Sequence, residues 1–160
     1  MQESCDSRRE REFDKVRREA LAFAGIGLYR YRLDGTVVML DPGAFRLFEL
    51  DKVFRDPCEA EGKPLPELLS YTGPGEWMSK DLLLRQCVRD REWSFRTLQG
   101  REKWVTEDCY LVRDAETGEE AIQVIARDIT DRKQTEAALA ASEQRFREML
   151  DIIPLIAVQF

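Results

Sequence analysis

Few residues in this 160-residue chain have types and spacing suited to chemistry. The four cysteines, Cys5, Cys58, Cys87 and Cys109, are scattered and none forms a CxxC pair, so no zinc site is expected. Histidine is absent. That removes Ser-His-Asp and Cys-His catalysis, His-ligated haem and a phosphoacceptor histidine from this chain. The sequence holds no phosphate-binding Gly loop, no nucleophile–base pair and no metal-ligand cluster, so no catalytic residue and no metal ligand is assigned. The group that stands out is Glu107. On a strand, Val105, Glu107, Cys109 and Leu111 share one face, and the other three suit burial. A carboxylate in that register is paired, solvated or protonated, because burying it bare is costly. One reading is recognition of a polar or cationic group on a ligand. The other is an edge position where Glu107 reaches water or an arginine. Cys109 is either a buried structural cysteine or a redox-sensitive thiol.

The elements that position these residues follow from pattern. Lys103 to Arg113 carries Trp, Val, Thr, Cys, Tyr, Leu and Val, which suit a pleated, half-buried surface. Asp114 to Gly118 supplies turn residues. Ala121 to Ile129 is a second strand, with Ile122, Val124 and Ala126 alternating with Gln123 and Arg127. Asp131 then starts a helix, with Gln134 three residues on as in a capping box. Upstream, Arg8 to Ala24 is an amphipathic helix with Phe13, Val16, Ala20 and Phe23 on one stripe. Leu28 to Arg32 and Thr36 to Leu40 are strands joined at Leu33-Asp34-Gly35, which carries the Asp-Gly hairpin signal. Asp41-Pro42 reads as an N-cap with Pro at the first helical position, and the short helix to Phe48 buries Phe45 and Phe48. Residues 49–74 are irregular. Glu76 to Arg89 is expected to be a helix offering Trp77, Leu83, Leu84, Cys87 and Val88 for burial. Trp93 to Leu98 is a strand with Trp93 and Phe95 on one face.

Composition bounds the class. At 43% hydrophobic and 35% charged residues, the chain has enough apolar material for one well-cored domain plus extensions. Its formal net charge of -6 argues against a nucleic-acid partner. No apolar run approaches the roughly 20 residues of a membrane span, and the polar N-terminus has no signal-peptide pattern. A cytoplasmic setting with reduced thiols is expected, without direct membrane contact. Asp131 to Leu150 reads as a charged helix with a thin heptad-like seam at Leu139 and Phe146, suited to pairing in a homodimer. The stretch Phe23 to Tyr31 lines up with Ile152 to Phe160, each following a charged helix, as if a second copy of the domain were beginning.

Several motifs together resemble a PAS domain, a sensor module of signalling proteins. They are Ala24-Gly25-Ile26-Gly27-Leu28-Tyr29, the Leu33-Asp34-Gly35 hairpin, Gly100 with Trp104 four residues later, and Asp128-Ile129-Thr130-Asp131-Arg132-Lys133. Ser142 to Phe146 resembles the opening of a following repeat. The match covers residues 20–133 well and the 49–74 stretch poorly. The resemblance implies an α+β fold: a five-stranded antiparallel sheet with short helices on one face, flanked by N-terminal and C-terminal helices. The divisions are then 1–24 for the N-terminal helix, 25–130 for the sensor domain, 131–150 for a linker helix and 151–160 for the start of a second repeat. It also implies a pocket between sheet and helices. Its sheet side would be Trp93, Phe95, Val105, Glu107, Cys109, Leu111, Ile122, Val124 and Ala126. Its helical wall would be Phe45, Phe48, Trp77 and Leu84. Asp128 and Thr130 would form the signal junction, with Arg132 or Lys133 as the basic partner of Asp128.

The resemblance further implies a non-catalytic input domain whose linker helix reports to an output domain, in a parent like a sensor histidine kinase or a diguanylate cyclase. The alternative is a ligand-free homodimerisation scaffold. A redox or cofactor sensor is disfavoured. Flavin photochemistry in the family uses cysteine in an Asn-Cys-Arg-Phe-Leu context and a glutamine on the last strand. Here Cys58 sits in Asp-Pro-Cys-Glu-Ala and Ala126 holds the strand position. Haem would need an unusual Cys or Met ligand. Either no cofactor or a non-covalent small molecule is expected.

Overall fold

A computed structural model describes residues 5–72, 80–113 and 117–157. It divides into two units, 1–128 and 129–160. The first opens with helix α1 (Cys5–Phe23) and continues through strands β1 (Ile26–Arg32) and β2 (Val37–Leu40) to helix α2 (Pro42–Leu47). Two 3-10 turns, Leu50–Lys52 and Pro57–Glu59, lead to the one-turn helix α3 (Leu65–Leu68) and strand β3 (Leu69–Tyr71). Helix α4 (Lys80–Arg85) precedes the three long strands β4 (Cys87–Thr97), β5 (Glu102–Arg113) and β6 (Glu120–Asp128). The strands form one antiparallel sheet in the order β2-β1-β6-β5-β4-β3.

The β1–β2 hairpin is fixed by its turn residues. Asp34 Oδ1 accepts from the Thr36 N–H at 2.8 Å, and Gly35 takes the positive φ of 90° that disfavours other residues. Asp41 caps α2 as its sequence context suggests, accepting from the Ala44 N–H at 2.7 Å. The same oxygen accepts from the Leu28 N–H at 2.9 Å, so one carboxylate ties the helix to β1. The tie holds the two backbones very close. A Cβ on Gly27 would lie 2.5 Å from the Ala44 backbone, and one on Gly43 would lie 2.2 Å from the Ile26 carbonyl oxygen.

The core lies between the inner sheet face and α2, α3 and α4. Phe48 packs edge-on against Tyr29 and Phe95, with ring centroids 5.1 and 5.3 Å away. Val105, Ile122, Val124 and Ala126 are fully buried around it. The outer face carries Tyr110 and Ile125 exposed, with Trp104 and Val112 half-buried. Helix α1 runs beside α2 and β1, and its stripe residues Phe13, Val16 and Phe23 are exposed.

The structure corrects three expectations. The described residues form six strands rather than five, because the segment read as irregular contributes β3 as a three-residue edge strand on β4. The expected helix over 76–89 is helical from Lys80 to Arg85, and β4 begins at Cys87. Gln86 takes a left-handed φ of 62° that ends the helix, and pairing of Cys87 and Val88 with Tyr110 and Cys109 of β5 overrides local helical periodicity. Within β4 the register shifts between Val88 and Arg91, a β-bulge in which Asp90 adopts a φ of 52° and its N–H donates to Asp108 Oδ1 at 2.9 Å.

The third correction lies in the second unit, which contains helix α5 (Thr130–Ala157). It starts one residue earlier than expected, so Asp131 sits in the first turn, where a carboxylate complements the helix dipole. It also runs through 152–157, which align with residues 23–28, so that 155–157 stand opposite the start of β1. Strand conformation at β1 depends on pairing with β2 and β6 on either side, and this segment has helical hydrogen bonding instead. Leu139, Phe146, Met149 and Leu150 are exposed along α5.

Candidate functional site

Between β4, β5, β1 and the α3–β3 corner lies a cavity of about 170 Å³. Tyr29 and Tyr31 of β1, Arg91 and Trp93 of β4 and Glu107 of β5 line its sheet side. Leu65, Pro66, Leu69, Ser70 and Tyr71 line the other. Strand alternation puts Tyr29 and Tyr31 on one face, where their rings stack with centroids 5.9 Å apart. Tyr71 and Trp93 meet at 5.2 Å. The site is therefore an aromatic box with a carboxyl group in its wall.

Glu107 is 3% exposed and sits on β5, an interior strand of the sheet. The edge-position reading of Glu107 is therefore incorrect. Its Oε1 accepts from the Tyr29 hydroxyl at 2.5 Å, and its Oε2 has the Cys109 thiol at 4.0 Å. Burial lifts the Glu107 carboxyl from 4.5 to about 7. The Tyr29 hydrogen bond, the nearby Trp93 indole and the Arg91 charge oppose that rise. The indole N–H lies near enough to favour a charged Glu107, yet it makes no hydrogen bond of ordinary geometry and is buried without a partner. Burial first, then the Glu107 charge, holds the Tyr29 hydroxyl well above its usual range, and the Cys109 thiol is raised in the same way. Burial also raises Tyr31. Neither the thiol nor the phenols are set up as nucleophiles or bases near neutral pH.

Of the residues expected to line the pocket, Trp93 and Glu107 do so. Phe45, Phe48, Phe95, Val105, Cys109, Ile122, Val124 and Ala126 are buried in the core and fill the space beneath α2. Leu111 is half-buried against that core. Leu84 is 81% exposed and belongs to no inner wall, a correction that follows from the early end of α4. Trp77 lies outside the described residues. Sequence reading missed Tyr29 and Tyr31, although Tyr-Arg-Tyr alternation was available as a signal. It missed Arg91 because β4 starts six residues before the expected Trp93. It missed Leu65, Leu69, Ser70 and Tyr71 because a proline-rich segment hid α3 and β3.

At the end of β6, Asp128 Oδ2 is 2.8 Å from Lys103 Nζ, which also donates to the Leu47 carbonyl at 2.9 Å. Lys103 is thus a basic partner of Asp128 that the sequence reading did not name. In α5, Arg132 and Lys133 lie 3.6 and 3.7 Å from Glu136. Cys58 is exposed on the 3-10 turn Pro57–Glu59 and does not line the cavity. Among the described residues, no group of three or more carboxylates and thiols is placed to hold a metal ion. No helix of the described residues is long and apolar enough to cross a membrane.

No protein-family model matches the chain, and no curated protein matches it. Solved structures do. A PAS domain from Colwellia psychrerythraea superposes with a TM-score of 0.54 at 18% identity, covering 74% of this chain and 98% of that one. The PAS domain of a two-component sensor histidine kinase gives a TM-score of 0.54 at 14% identity, covering 74% and 97%. An RNA-binding Light-Oxygen-Voltage receptor gives 0.55 at 16% identity, covering 84% of this chain and 39% of that chain. With its antiparallel sheet, α2, α3 and α4 gathered on the inner face and these structural neighbours, the chain has the fold of a PAS domain.

Proposed function

We propose that this chain is a non-catalytic sensory input domain that takes a small molecule into the cavity beside Glu107. The observation that carries the reading is the cavity itself. It has about 170 Å³ of space beside a buried carboxyl. The PAS fold, found here with a sensor histidine kinase domain among its neighbours, is consistent with that role. A parent of the histidine-kinase or diguanylate-cyclase type fits it. Occupancy of the cavity would bias the sheet between two arrangements, and α5, which follows β6 after a single residue, would carry the change to an output domain. Asp128 and Lys103 stand at that exit, with Thr130, Arg132 and Lys133 at the start of α5.

Flavin adduct chemistry is not part of this reading, because Cys58 is exposed away from the cavity and Ala126 occupies the last-strand position. A cytoplasmic domain acting as a homodimer, without nucleic-acid or membrane contact, completes the proposal. The exposed Leu139, Phe146 and Met149 on α5 favour a dimer seam. They equally support the second reading, a ligand-free dimerisation scaffold.

Native mass spectrometry of the purified protein, followed by denaturation and identification of what is released, separates the two. A stoichiometric small molecule supports the sensor. A dimer that neither carries nor takes up any compound favours the scaffold. Asp128→Ala in the full-length protein should uncouple output while leaving the domain folded. Normal switching by that variant would remove the junction role.

A further inference from the structure

The cavity's chemistry narrows what it can hold. Its volume, about 170 Å³, compares with the roughly 150 Å³ apolar cavity that accepts benzene. The occupant is therefore about the size of a single ring. Four of the lining side chains, Tyr29, Tyr31, Tyr71 and Trp93, present aromatic surface. Ring faces are electron-rich and attract a cation, and Trp93 already has the Arg91 guanidinium 6.0 Å from its ring centroid. Glu107 adds an acceptor. Its Oε1 is engaged by Tyr29, whereas its Oε2 has the weakly donating Cys109 thiol at 4.0 Å.

Trp93 is buried in the cavity wall, and its indole beside Glu107 favours the charged carboxylate that an ammonium group needs.

We propose that the cavity is a site for a compact organic amine, with its ammonium group against Glu107 and its ring-sized body among Tyr29, Tyr31, Tyr71 and Trp93. This deepens the sensor reading and rests on it. The groups facing the carboxyl are Tyr29 and Tyr31 from β1, Arg91 and Trp93 from β4, and Cys109 from β5. Of these, Arg91 is the cation a ligand ammonium would displace or stand beside. The phenols and the Cys109 thiol are held neutral by burial.

An ammonium group needs the carboxylate form, so binding and proton release are linked. Because Glu107 is half-protonated at about pH 7, amine affinity should fall by up to about tenfold per pH unit below that point.

Three near-isosteric probes test the class: benzylamine, benzyl alcohol and benzoate, titrated into the purified protein and followed by NMR shifts of the cavity residues. Benzylamine should bind about tenfold or more tightly than benzyl alcohol near pH 8, since charge-assisted hydrogen bonds exceed neutral ones. Glu107→Gln should abolish that preference while leaving benzyl alcohol binding within about threefold, which also shows that the variant folds. If benzyl alcohol or benzoate binds as tightly as the amine, or the amine preference survives Glu107→Gln, the assignment to amines is overturned and the ligand-site reading stands. If none of the three perturbs the cavity at millimolar concentration, both the amine assignment and the use of this cavity as a ligand site fail.

Discussion

Replacing Glu107 with glutamine should change how stability depends on pH, and the size of the effect follows from the site. The carboxyl titrates at 4.5 when unfolded and at about 7 when buried in the native protein. Below pH 4.5 it is protonated in both states and contributes no pH dependence. Between the two values the unfolded chain has lost the proton that the folded chain keeps, so stability declines as pH rises. Above about pH 7 both forms are ionised and the loss is complete. The interval from 4.5 to about 7, at about 1.4 kcal/mol per pH unit, comes to about 3 kcal/mol. Glutamine keeps an acceptor for the Tyr29 hydroxyl and has nothing to titrate. The stability of Glu107→Gln relative to the parent should therefore improve by about 3 kcal/mol on going from about pH 4.5 to about pH 8. Urea unfolding followed by tryptophan fluorescence at a series of pH values measures this difference. Titration of every other group cancels in it. Two curves that stay parallel across that range would mean that Glu107 is ionised in the folded protein throughout, and the account of a carboxyl governed by burial would be refuted.

Three further outcomes test the packing. Gly27→Ala should cost about 3 kcal/mol, because its Cβ meets backbone atoms of Ala44 that cannot swing away. Gly62→Ala, which meets nothing within 4 Å but holds a φ of +80°, should cost about 1 kcal/mol. Equal losses in chemical denaturation would count against the close-approach argument. Phe48→Ala should lose about 3–5 kcal/mol and Leu84→Ala less than about 0.5 kcal/mol. A large loss for Leu84 would restore it to an inner wall. Lys103→Met leaves Asp128 Oδ2 and the Leu47 carbonyl without this donor. It should destabilise the domain by about 2 kcal/mol, and a thermal midpoint equal to that of the parent would rule that out.

Much of the fold was legible because local and tertiary signals agreed. The Asp34-Gly35 turn, the Asp41-Pro42 helix start and the alternation along β5 and β6 each chose the conformation that the assembled sheet also requires. Legibility ended where pairing decided. Cys87 and Val88 look helical beside Leu83 and Leu84, and nothing nearby indicates that β5 will capture them. Leu69 to Tyr71 is too short to show a period and is a strand because β4 offers an edge. The site was half legible for the same reason. Alternation put Glu107 on the inner face, but which inward residues border a void depends on how α2 fills the adjoining space. Phe45 and Phe48 occupy the room assigned to a ligand, and the opening lies instead at the α3–β3 corner.

The bulge at Asp90 gives a run of solvated residues an unexpected importance. Counting back in twos from Arg91 would turn Arg89 toward the core. The extra residue places Val88 there opposite Cys109, while Arg89 stays in water. The bulge itself, rather than any side chain in it, is consequently what keeps a charged residue out of the interior at this chain length. Exchanging the exposed side chains there alters little of the interior, and deleting Arg89 or Asp90 would leave Val88 and Arg91 facing inward in a regular strand, whereas straightening the strand at its present length would send the Arg89 guanidinium into the core.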